Sequence, residues 1–444
     1  MPFLSLLEKK TNSLFFPSTS LGFRFLMFGI LIGFLVRFLM VWLIDYDISK
    51  GDASLYIVWA NNILNYGIFG ENLDPTYYRP PLYSFFLATI SWAIEFKEII
   101  IQVFQFLINI LAGLMITRIS AIYLKNCSHW IFLLMMISPF EAVYAGALIS
   151  EVITSFLLLS SFFSLIVLKG KSKWILSGIF IGLCCLTRDS YLLLSLFISF
   201  FVLIFSVSSF KERIKNCFIL ILCSFLVVAP WTIRNFYLSD ELIPVSQGRL
   251  GLGLWLGTWA EDGEWSKLHL GKNYLIFPEE AFRTEEERLL VEGEIAKGKN
   301  HVHMEDLYLS LAIERIKEEP FEVLKTYILR SPNLWVGTRF DLFPLNKEWF
   351  ERGSAQWFLV KSSLWGLNFI LLSFCLLGLA LTLKRKDRLM FFSIPILYTL
   401  IFNFPLNSYE MRYSYPVLPY MLLFACVGWA FVREEIINSR IRKK

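Results

Sequence analysis

Charged side chains are scarce in this chain. They make up 18% of its 444 residues, whereas 56% of the residues are hydrophobic and the mean hydropathy is +0.56. A soluble domain of this size carries more charge. Several apolar runs reach the roughly 20 residues that a helix needs to cross a bilayer, and the alternation typical of a membrane barrel is missing. The composition therefore predicts an all-α polytopic membrane protein.

Signatures of several other classes are missing as well. The seven cysteines lie in or beside apolar runs, so they indicate neither a disulfide framework nor a zinc site. His301 and His303 are two residues apart, a spacing that points helical side chains in different directions, and no His-Glu-x-x-His motif occurs. The glycine-rich stretch 248–257 lacks the lysine of a phosphate-binding loop. We therefore expect no metal and no cofactor.

Eleven apolar runs are predicted to form transmembrane helices, one of them broken at Pro139. They are residues 22–44, 80–95, 99–123, 130–147, 151–168, 174–187, 191–207, 216–231, 363–383, 389–404 and 413–432. Four short loops on one side hold 11 Lys and Arg, and three short turns on the other side hold 2. This asymmetry predicts an inner-membrane protein with both termini in the cytoplasm. It also accounts for the basic excess, so no nucleic-acid partner is expected.

Two longer segments are predicted to lie outside. Residues 45–79 contain an amphipathic stretch, 52–66, that would lie along the membrane surface. Residues 232–362 form a soluble, largely helical loop with 16 Lys and Arg against 21 Asp and Glu, and helices are predicted at 279–299 and 304–329. The predicted domains are a transmembrane catalytic module (1–231), this outer loop, the C-terminal helices (363–432) and a basic tail (433–444).

The first outer segment places an acid and a base at the membrane boundary. Its sequence begins with GDASLY at 51–56 and closes with YRPPLY at 78–83. Asp52 would share one helix face with Tyr56, Ala60 and Ile63. At the boundary, a lower dielectric would make this carboxylate a better general base. The same position also suits a helix N-cap, and the two roles are compatible.

Other charges recur at helix ends on the same side. Arg79, before a proline pair, could hold a phosphate in a bidentate manner, or it could be an interfacial anchor. Glu151 opens a helix at the membrane edge, where a carboxylate is a functional candidate, although it could only complement the helix dipole. Glu141 competes with it in the same loop. Arg188, Arg234 and Arg412 also lie at this level.

Three arginines at one leaflet are what an anionic lipid headgroup requires. Singly, each of Arg188, Arg234 and Arg412 would be an interface anchor. Arg188 could also simply pair with the adjacent Asp189.

Taken in order, these motifs resemble the C-type glycosyltransferases of the protein O-mannosyltransferase-like class, which includes bacterial aminoarabinose transferases that modify lipid A. The matching stretches are 51–56, 79–83, 150–151, 186–188, 230–235 and 248–257. The resemblance implies a polyprenyl-phosphate sugar donor, with Asp52 as catalytic base, Glu151 as a second active-site acid and Arg79 on the lipid phosphate. Many relatives have Asp-Glu where this chain has Asp52-Ala53, and only the opening of 232–362 matches.

The sequence thus predicts a membrane glycosyltransferase of the hexosyl or pentosyl type. It would move a sugar from polyprenyl phosphate to a hydroxyl of a lipid, glycan or protein on the outer face, with inversion and without metal. Donor phosphate would bind Arg79, Arg188, Arg234 and Arg412, and substrate would contact Tyr56, Tyr78, Tyr83 and Glu141. Two alternatives are a flippase or transporter of lipid-linked glycans, whose site would lie near mid-membrane, and a surface-glycan polymerase or ligase with a pyrophosphate donor.

Overall fold

Helix dominates the computed structural model. It describes residues 20–71, 73–124, 128–247, 250–258, 269–270, 275–276, 282–299, 303–336, 351, 353–385, 388–406 and 411–442. About 81% of the structure is helical, which confirms the all-α class. The strands in the described ranges form two short antiparallel hairpins, β1 (Gly70–Glu71) with β2 (Asp74–Pro75) and β3 (His269–Leu270) with β4 (Leu275–Ile276).

The helices of the membrane module and of the long loop follow one another with few interruptions. In chain order they are α1 (Ser20–Ile44), α2 (Gly51–Tyr66), α3 (Leu82–Ala93), α4 (Glu98–Tyr123), α5 (Ser128–Ile137), α6 (Pro139–Gly146), α7 (Glu151–Val167), α8 (Ser172–Thr187), α9 (Leu194–Phe205), α10 (Phe210–Ser239), α11 (Leu250–Gly257), α12 (Glu285–Ala296), α13 (Glu305–Glu318), α14 (Pro320–Arg330), α15 (Asn333–Val336), α16 (Ala355–Arg385), α17 (Ile394–Asn403), α18 (Met411–Ser414) and α19 (Leu418–Arg442). Short 3₁₀ turns lie at Asp189–Tyr191, Arg388–Ser393 and Tyr415–Val417.

Every one of the eleven predicted runs contains apolar helix. Within the described ranges, five helices are long and apolar enough to cross a bilayer: α1 from Arg24, α4, α10, α16 and the segment Met411–Ile436. The bent pair α5 and α6 would make a sixth, and the remaining runs are shorter apolar helices of 10–17 residues. The protein is therefore a multi-pass membrane protein, and the count of eleven spans stays a prediction.

The predicted break at Pro139 is present. Helices α5 and α6 meet there at 53°. Ser138 is the N-cap of α6 and its hydroxyl accepts from the Glu141 N–H, while Pro139 takes the first helical position, where its missing N–H costs nothing. The predicted helix 130–147 is thus two helices, and residues 140–146 of the second are buried.

Helix α10 extends beyond the predicted span 216–231 at both ends and contains Pro230. The apolar run ends near Pro230, but tertiary contacts support the turns that follow. Asn235 Nδ2 donates to the carbonyls of Ile243 and Val245 at 3.1 and 3.0 Å. Because α16 also begins earlier than predicted, at Ala355, the part of the loop between these helices is shorter than 232–362.

The described helices of that loop, α11 to α15, are called the loop domain here. The predicted helix 304–329 is two helices, α13 and α14, because Pro320 cannot continue the first. The predicted helix 279–299 is α12, and residues 279–281 lie outside the described ones. The loop domain has a small separate core that includes Trp255, Val291 and Tyr308.

Glycines in α11 allow close backbone contacts. A Cβ at Gly251 would lie 2.3 Å from the Glu305 carbonyl oxygen, and one at Gly257 would lie 2.4 Å from that of Pro405. Only glycine permits such approaches without a shift of backbone. The described part of the glycine-rich stretch 248–257 therefore packs the loop domain against α13 and against the turn after α17.

Candidate functional site

Five charged side chains from separate parts of the chain meet in one group, called the ion-pair cluster here. Its members are Asp52, Arg79, Glu151, Arg188 and Arg412. Arg79 Nη2 and Arg412 Nη2 lie 2.6 Å from the two carboxylate oxygens of Asp52. Glu151 Oε1 accepts from Arg188 Nη1 at 2.9 Å and also pairs with Arg412 Nε. Arg412 thus bridges both carboxylates, and three arginines face two acids.

The start of α2 aims Asp52 at the arginines. Gly51 has a φ of +65°, a conformation that residues with a side chain rarely adopt, and the N-cap is Lys50, without a side-chain cap bond. Asp52 lies in the first turn, and its two oxygens are taken by Arg79 and Arg412. The alternative that Asp52 is the N-cap is therefore wrong.

The predicted face of α2 points into the protein. Tyr56 and Ala60 are buried, whereas residues 64–67 on the far turn are exposed. The ring of Tyr56 packs edge-on to Tyr83 with 4.8 Å between centroids. Tyr83 is fully buried and its hydroxyl donates to Gln105 Oε1 at 2.8 Å. These two tyrosines, predicted as substrate contacts, lie in the wall that supports Asp52.

Arg79 is buried in the protein. Its side chain is 9% exposed. Pro80 and Pro81 follow it and lead into α3, so the backbone at this position has little freedom. The guanidinium lies 5.2 Å from the ring centre of Tyr78, which is partly exposed. Of the three predicted tyrosines, Tyr78 is the one beside a cluster arginine and within reach of solvent.

Glu151 is the buried acid of the cluster. It is the first residue of α7 and is fully buried. Its Oε1 is shared by two arginines, whereas Oε2 is buried with no hydrogen-bond partner among the residues that the structure describes. Arg188 is further held over the ring of Tyr413 at 4.8 Å. Arg188 thus pairs with Glu151, and the adjacent Asp189 accepts from the Ser246 hydroxyl.

Arg234 lies outside the ion-pair cluster. Its Nη1 donates to the Thr76 carbonyl at 2.5 Å and its Nη2 to the Phe69 carbonyl at 3.1 Å. The guanidinium stacks on Trp231 at 4.4 Å. Arg234 therefore ties the hairpin β1–β2 to α10, and its bond to Thr76 lies three residues before Arg79.

Glu141 is also outside the ion-pair cluster. It is fully buried on α6, and its Oε2 accepts from Asn109 Nδ2 at 2.6 Å and from the Tyr415 hydroxyl at 2.7 Å. Of the two competing carboxylates, Glu151 is the one that shares an arginine with Asp52. Glu141 belongs to a second polar group deeper in the helical core.

Sequence reasoning missed a row of amides on α4. Gln102, Gln105 and Asn109 follow one another at steps of three and four, so they share a face. Gln102 Nε2 donates to the Gly146 carbonyl at 3.0 Å, and Gln105 Nε2 donates to the Ala145 and Ala147 carbonyls at 2.9 and 2.7 Å. The two glutamines thus satisfy the carbonyls that the end of α6 leaves open, just before Glu151. The sequence signal that could have identified these residues was the presence of three amide side chains on one face of an otherwise apolar helix.

The described residues contain no group of three or more His, Cys, Asp or Glu that could hold an ion. His301 lies outside the described residues. The expectation of a metal-free site stays a prediction.

Comparisons with known proteins give a fold and no family assignment. No family model and no curated protein matches the chain. Solved structures of the oligosaccharyltransferase AglB from Archaeoglobus fulgidus do match. The apo form has a TM-score of 0.52 at 14% identity and covers 95% of this chain and 51% of that chain.

Two further structures of the same archaeal protein agree. The complex with an inhibitory peptide and a dolichol-phosphate has a TM-score of 0.51 at 14% identity, with 95% of this chain and 51% of that chain covered. The structure tethered to an acceptor peptide with an NVT sequon gives 0.51 at 15% identity, with 94% and 50% covered. The chain therefore shares the fold of this archaeal oligosaccharyltransferase and spans about half the length of the matched chains.

Proposed function

We propose that this protein is a membrane glycosyltransferase that moves a sugar from a polyprenyl-phosphate carrier to an acceptor hydroxyl at the outer face of the inner membrane. The ion-pair cluster carries the proposal, because three arginines and two carboxylates converge at the start of α2. The fold supports it, since the archaeal oligosaccharyltransferase with that fold has been solved with a dolichol-phosphate and with an acceptor peptide. We place the protein near the O-mannosyltransferase-like class, with both termini cytoplasmic.

The charge of the cluster suits a monophosphate donor. Three arginines against two carboxylates leave one positive charge. A polyprenyl-phosphate sugar is a phosphodiester with one negative charge, whereas a pyrophosphate-linked sugar carries two. Arginine pairs with phosphate oxygens in a bidentate manner. We therefore assign phosphate binding to Arg79, Arg188 and Arg412 and leave Arg234, which holds backbone carbonyls, as a support for the first loop.

Donor binding would release the base. Both oxygens of Asp52 are occupied by arginines, and a carboxylate so paired is a poor proton acceptor. A phosphate that takes up Arg79 and Arg412 withdraws those cations from Asp52. The carboxylate then becomes more basic and gains a free oxygen for the acceptor hydroxyl. The order of binding that follows is donor first, acceptor second.

The reaction is a single displacement. Asp52 takes the proton of the acceptor hydroxyl, and that oxygen forms a bond to the anomeric carbon. The bond from this carbon to the phosphate oxygen breaks, the phosphate leaves with the electron pair, and the anomeric centre inverts. The arginines stabilise the charge that grows on the phosphate, a contribution of about 3–4 kcal/mol for one donor. Glu151 Oε2 would accept from a hydroxyl of the sugar or acceptor.

The direct test is a transfer assay with the purified protein. The donor is radiolabelled polyprenyl-phosphate hexose or pentose, and a membrane extract supplies lipid, glycan and protein acceptors. Wild type should transfer label, and Asp52→Asn should lose at least 10²-fold, as expected for a general base. Arg79→Ala should weaken donor binding as well.

Asp47→Asn is the matched control. Asp47 is in the same outer segment, but its carboxylate pairs with the exposed Lys50 at 2.8 Å, outside the cluster. This variant should transfer normally. Normal turnover by Asp52→Asn would remove the central claim. Donor movement across reconstituted bilayers without any transfer would favour a flippase instead.

A further inference from the structure

A second polar group lies in the helical core, and the proposed chemistry does not use it. Its members are Arg37 on α1, Asn109 on α4, Glu141 on α6 and Tyr415 in the 3₁₀ turn before α19, and we call them the core network. All four are buried, with 2% exposure or less. They come from four separate segments of the chain.

The hydrogen bonds of the core network converge on Glu141. Arg37 Nη1 donates to the carbonyls of Gly33 and Met136, both at 2.9 Å, and Arg37 Nη2 donates to Asn109 Oδ1. Asn109 Nδ2 then donates to Glu141 Oε2 at 2.6 Å. The Tyr415 hydroxyl donates to the same carboxylate oxygen at 2.7 Å. The network therefore holds one oxygen in place for one hydroxyl.

A carboxylate and a guanidinium in the core of a membrane protein are costly, and packing alone would be served better by apolar side chains. What the charged group adds is a defined position for its partner. That partner, Tyr415, lies three residues after Arg412 in the same short segment of the chain. Arg412 belongs to the short helix α18, which leads directly into the 3₁₀ turn that begins at Tyr415, and Ser414 in α18 donates to the Leu334 carbonyl at 2.6 Å.

We propose that the core network positions Arg412. Arg412 must reach Asp52 and Glu151 at the same time, and a small movement of its backbone would break one of the two pairs. A misplacement of about 1 Å can cost on the order of 10²-fold in rate. Glu141, Asn109 and Arg37 act through Tyr415 on the segment 411–417. The proposal rests on the proposed function, in which Arg412 binds phosphate and controls Asp52.

The test variant is Tyr415→Phe, which removes only the hydroxyl that donates a hydrogen bond to Glu141. The matched control is Tyr420→Phe, because Tyr420 is equally buried and donates to the Leu158 carbonyl at 3.2 Å, away from the cluster. We expect Tyr415→Phe to lower kcat about tenfold, with little change in KM for the acceptor. Tyr420→Phe should leave kcat unchanged.

A double-mutant cycle separates positioning from general stability. In an Arg412→Lys background, Tyr415→Phe should cost almost nothing further, because the side chain that it positions is already replaced. Additive losses in the two variants would mean that Tyr415 acts through folding and would overturn the proposal. Equal kcat values for Tyr415→Phe and wild type would overturn it too.

Amide hydrogen exchange provides a readout that needs no chemistry. Exchange in the peptide 411–417 should rise in Tyr415→Phe and stay at the wild-type level in Tyr420→Phe. If wild type transfers no sugar but this difference is found, the proposed function fails and the positioning of the Arg412 segment stands. If exchange is the same in both variants, the network does not hold the segment and the inference is wrong.

Discussion

The two groups of buried charge in the membrane module differ in charge balance and in access to solvent. The ion-pair cluster has three arginines for two carboxylates, and Arg412, Asp52 and Arg188 remain 10–20% exposed. The core network has one arginine for one carboxylate, is sealed from solvent, and joins its charges through an amide. An excess of accessible cation is suited to an anionic ligand, whereas a balanced and closed group is suited to holding backbone segments.

Both groups contain acidic and basic residues at helix ends or within apolar runs, so residue type alone does not separate them. Glu141 and Glu151 are ten residues apart and both fully buried. One accepts from an amide and a phenol, and the other accepts from two arginines. The number of cationic partners, not burial, distinguishes the candidate catalytic acid from the structural one.

The largest effect should come from breaking the sealed group. Arg37→Leu leaves Glu141 buried without its cation, a change that costs about 3–5 kcal/mol of folding free energy. We expect a strong loss of folded protein in detergent, measured by thermal unfolding and by size-exclusion recovery. Arg24→Leu, at the exposed start of the same helix, is the control and should unfold like wild type. Normal stability of Arg37→Leu would mean that the network is not a structural element.

Breaking the accessible group should remove function while the fold is kept. Arg412→Gln takes away the cation that bridges Asp52 and Glu151, so the cluster loses its positive excess. We expect transfer to fall about 10²–10³-fold, the loss typical of one electrostatic donor, and the thermal midpoint to change far less than in Arg37→Leu.

Arg213→Gln serves as the control for this loss, because Arg213 donates to the Leu203 and Ser208 carbonyls at the other end of α10 and should leave transfer intact. If Arg412→Gln unfolds as readily as Arg37→Leu, the distinction between the two groups does not hold.

The smallest effect should come from the pair of Asp47 with the exposed Lys50. The Lys50 ammonium and the Ser49 hydroxyl lower the pKa of the Asp47 carboxyl from 3.8 to about 2. A carboxyl with a lowered pKa adds stability above its unfolded value, and that stability is lost as pH falls through the folded value. The difference in thermal midpoint between wild type and Asp47→Asn should therefore be small at pH 7 and vanish as pH falls from about 4 to about 2.

Asp52→Asn, whose cluster partners are arginines, provides the contrast for this titration. A difference for Asp47→Asn that persists below pH 2 would assign the effect to something other than the pair with Lys50.

Much of the candidate site could be predicted from sequence. Asp52, Arg79 and Glu151 stand where hydropathy places the membrane edge, and the structure brings them together with Arg188 and Arg412. Arg234 carried the same local signature but holds carbonyls near β2, and that difference depends on a loop 158 residues earlier in the chain. The N-cap of α2 was also misplaced, because a positive φ at Gly51 is not encoded by hydropathy.

The sequence by itself determined the membrane class, most of the helices and the break at Pro139, because hydropathy and turn chemistry act over neighbouring residues. Only the tertiary structure decided which charges meet. Arg412 and Glu151 are 261 residues apart, and Tyr415 and Glu141 are 274 residues apart. Local patterns say that each of these groups is costly to bury, but which partner offsets that cost depends on how distant helices pack.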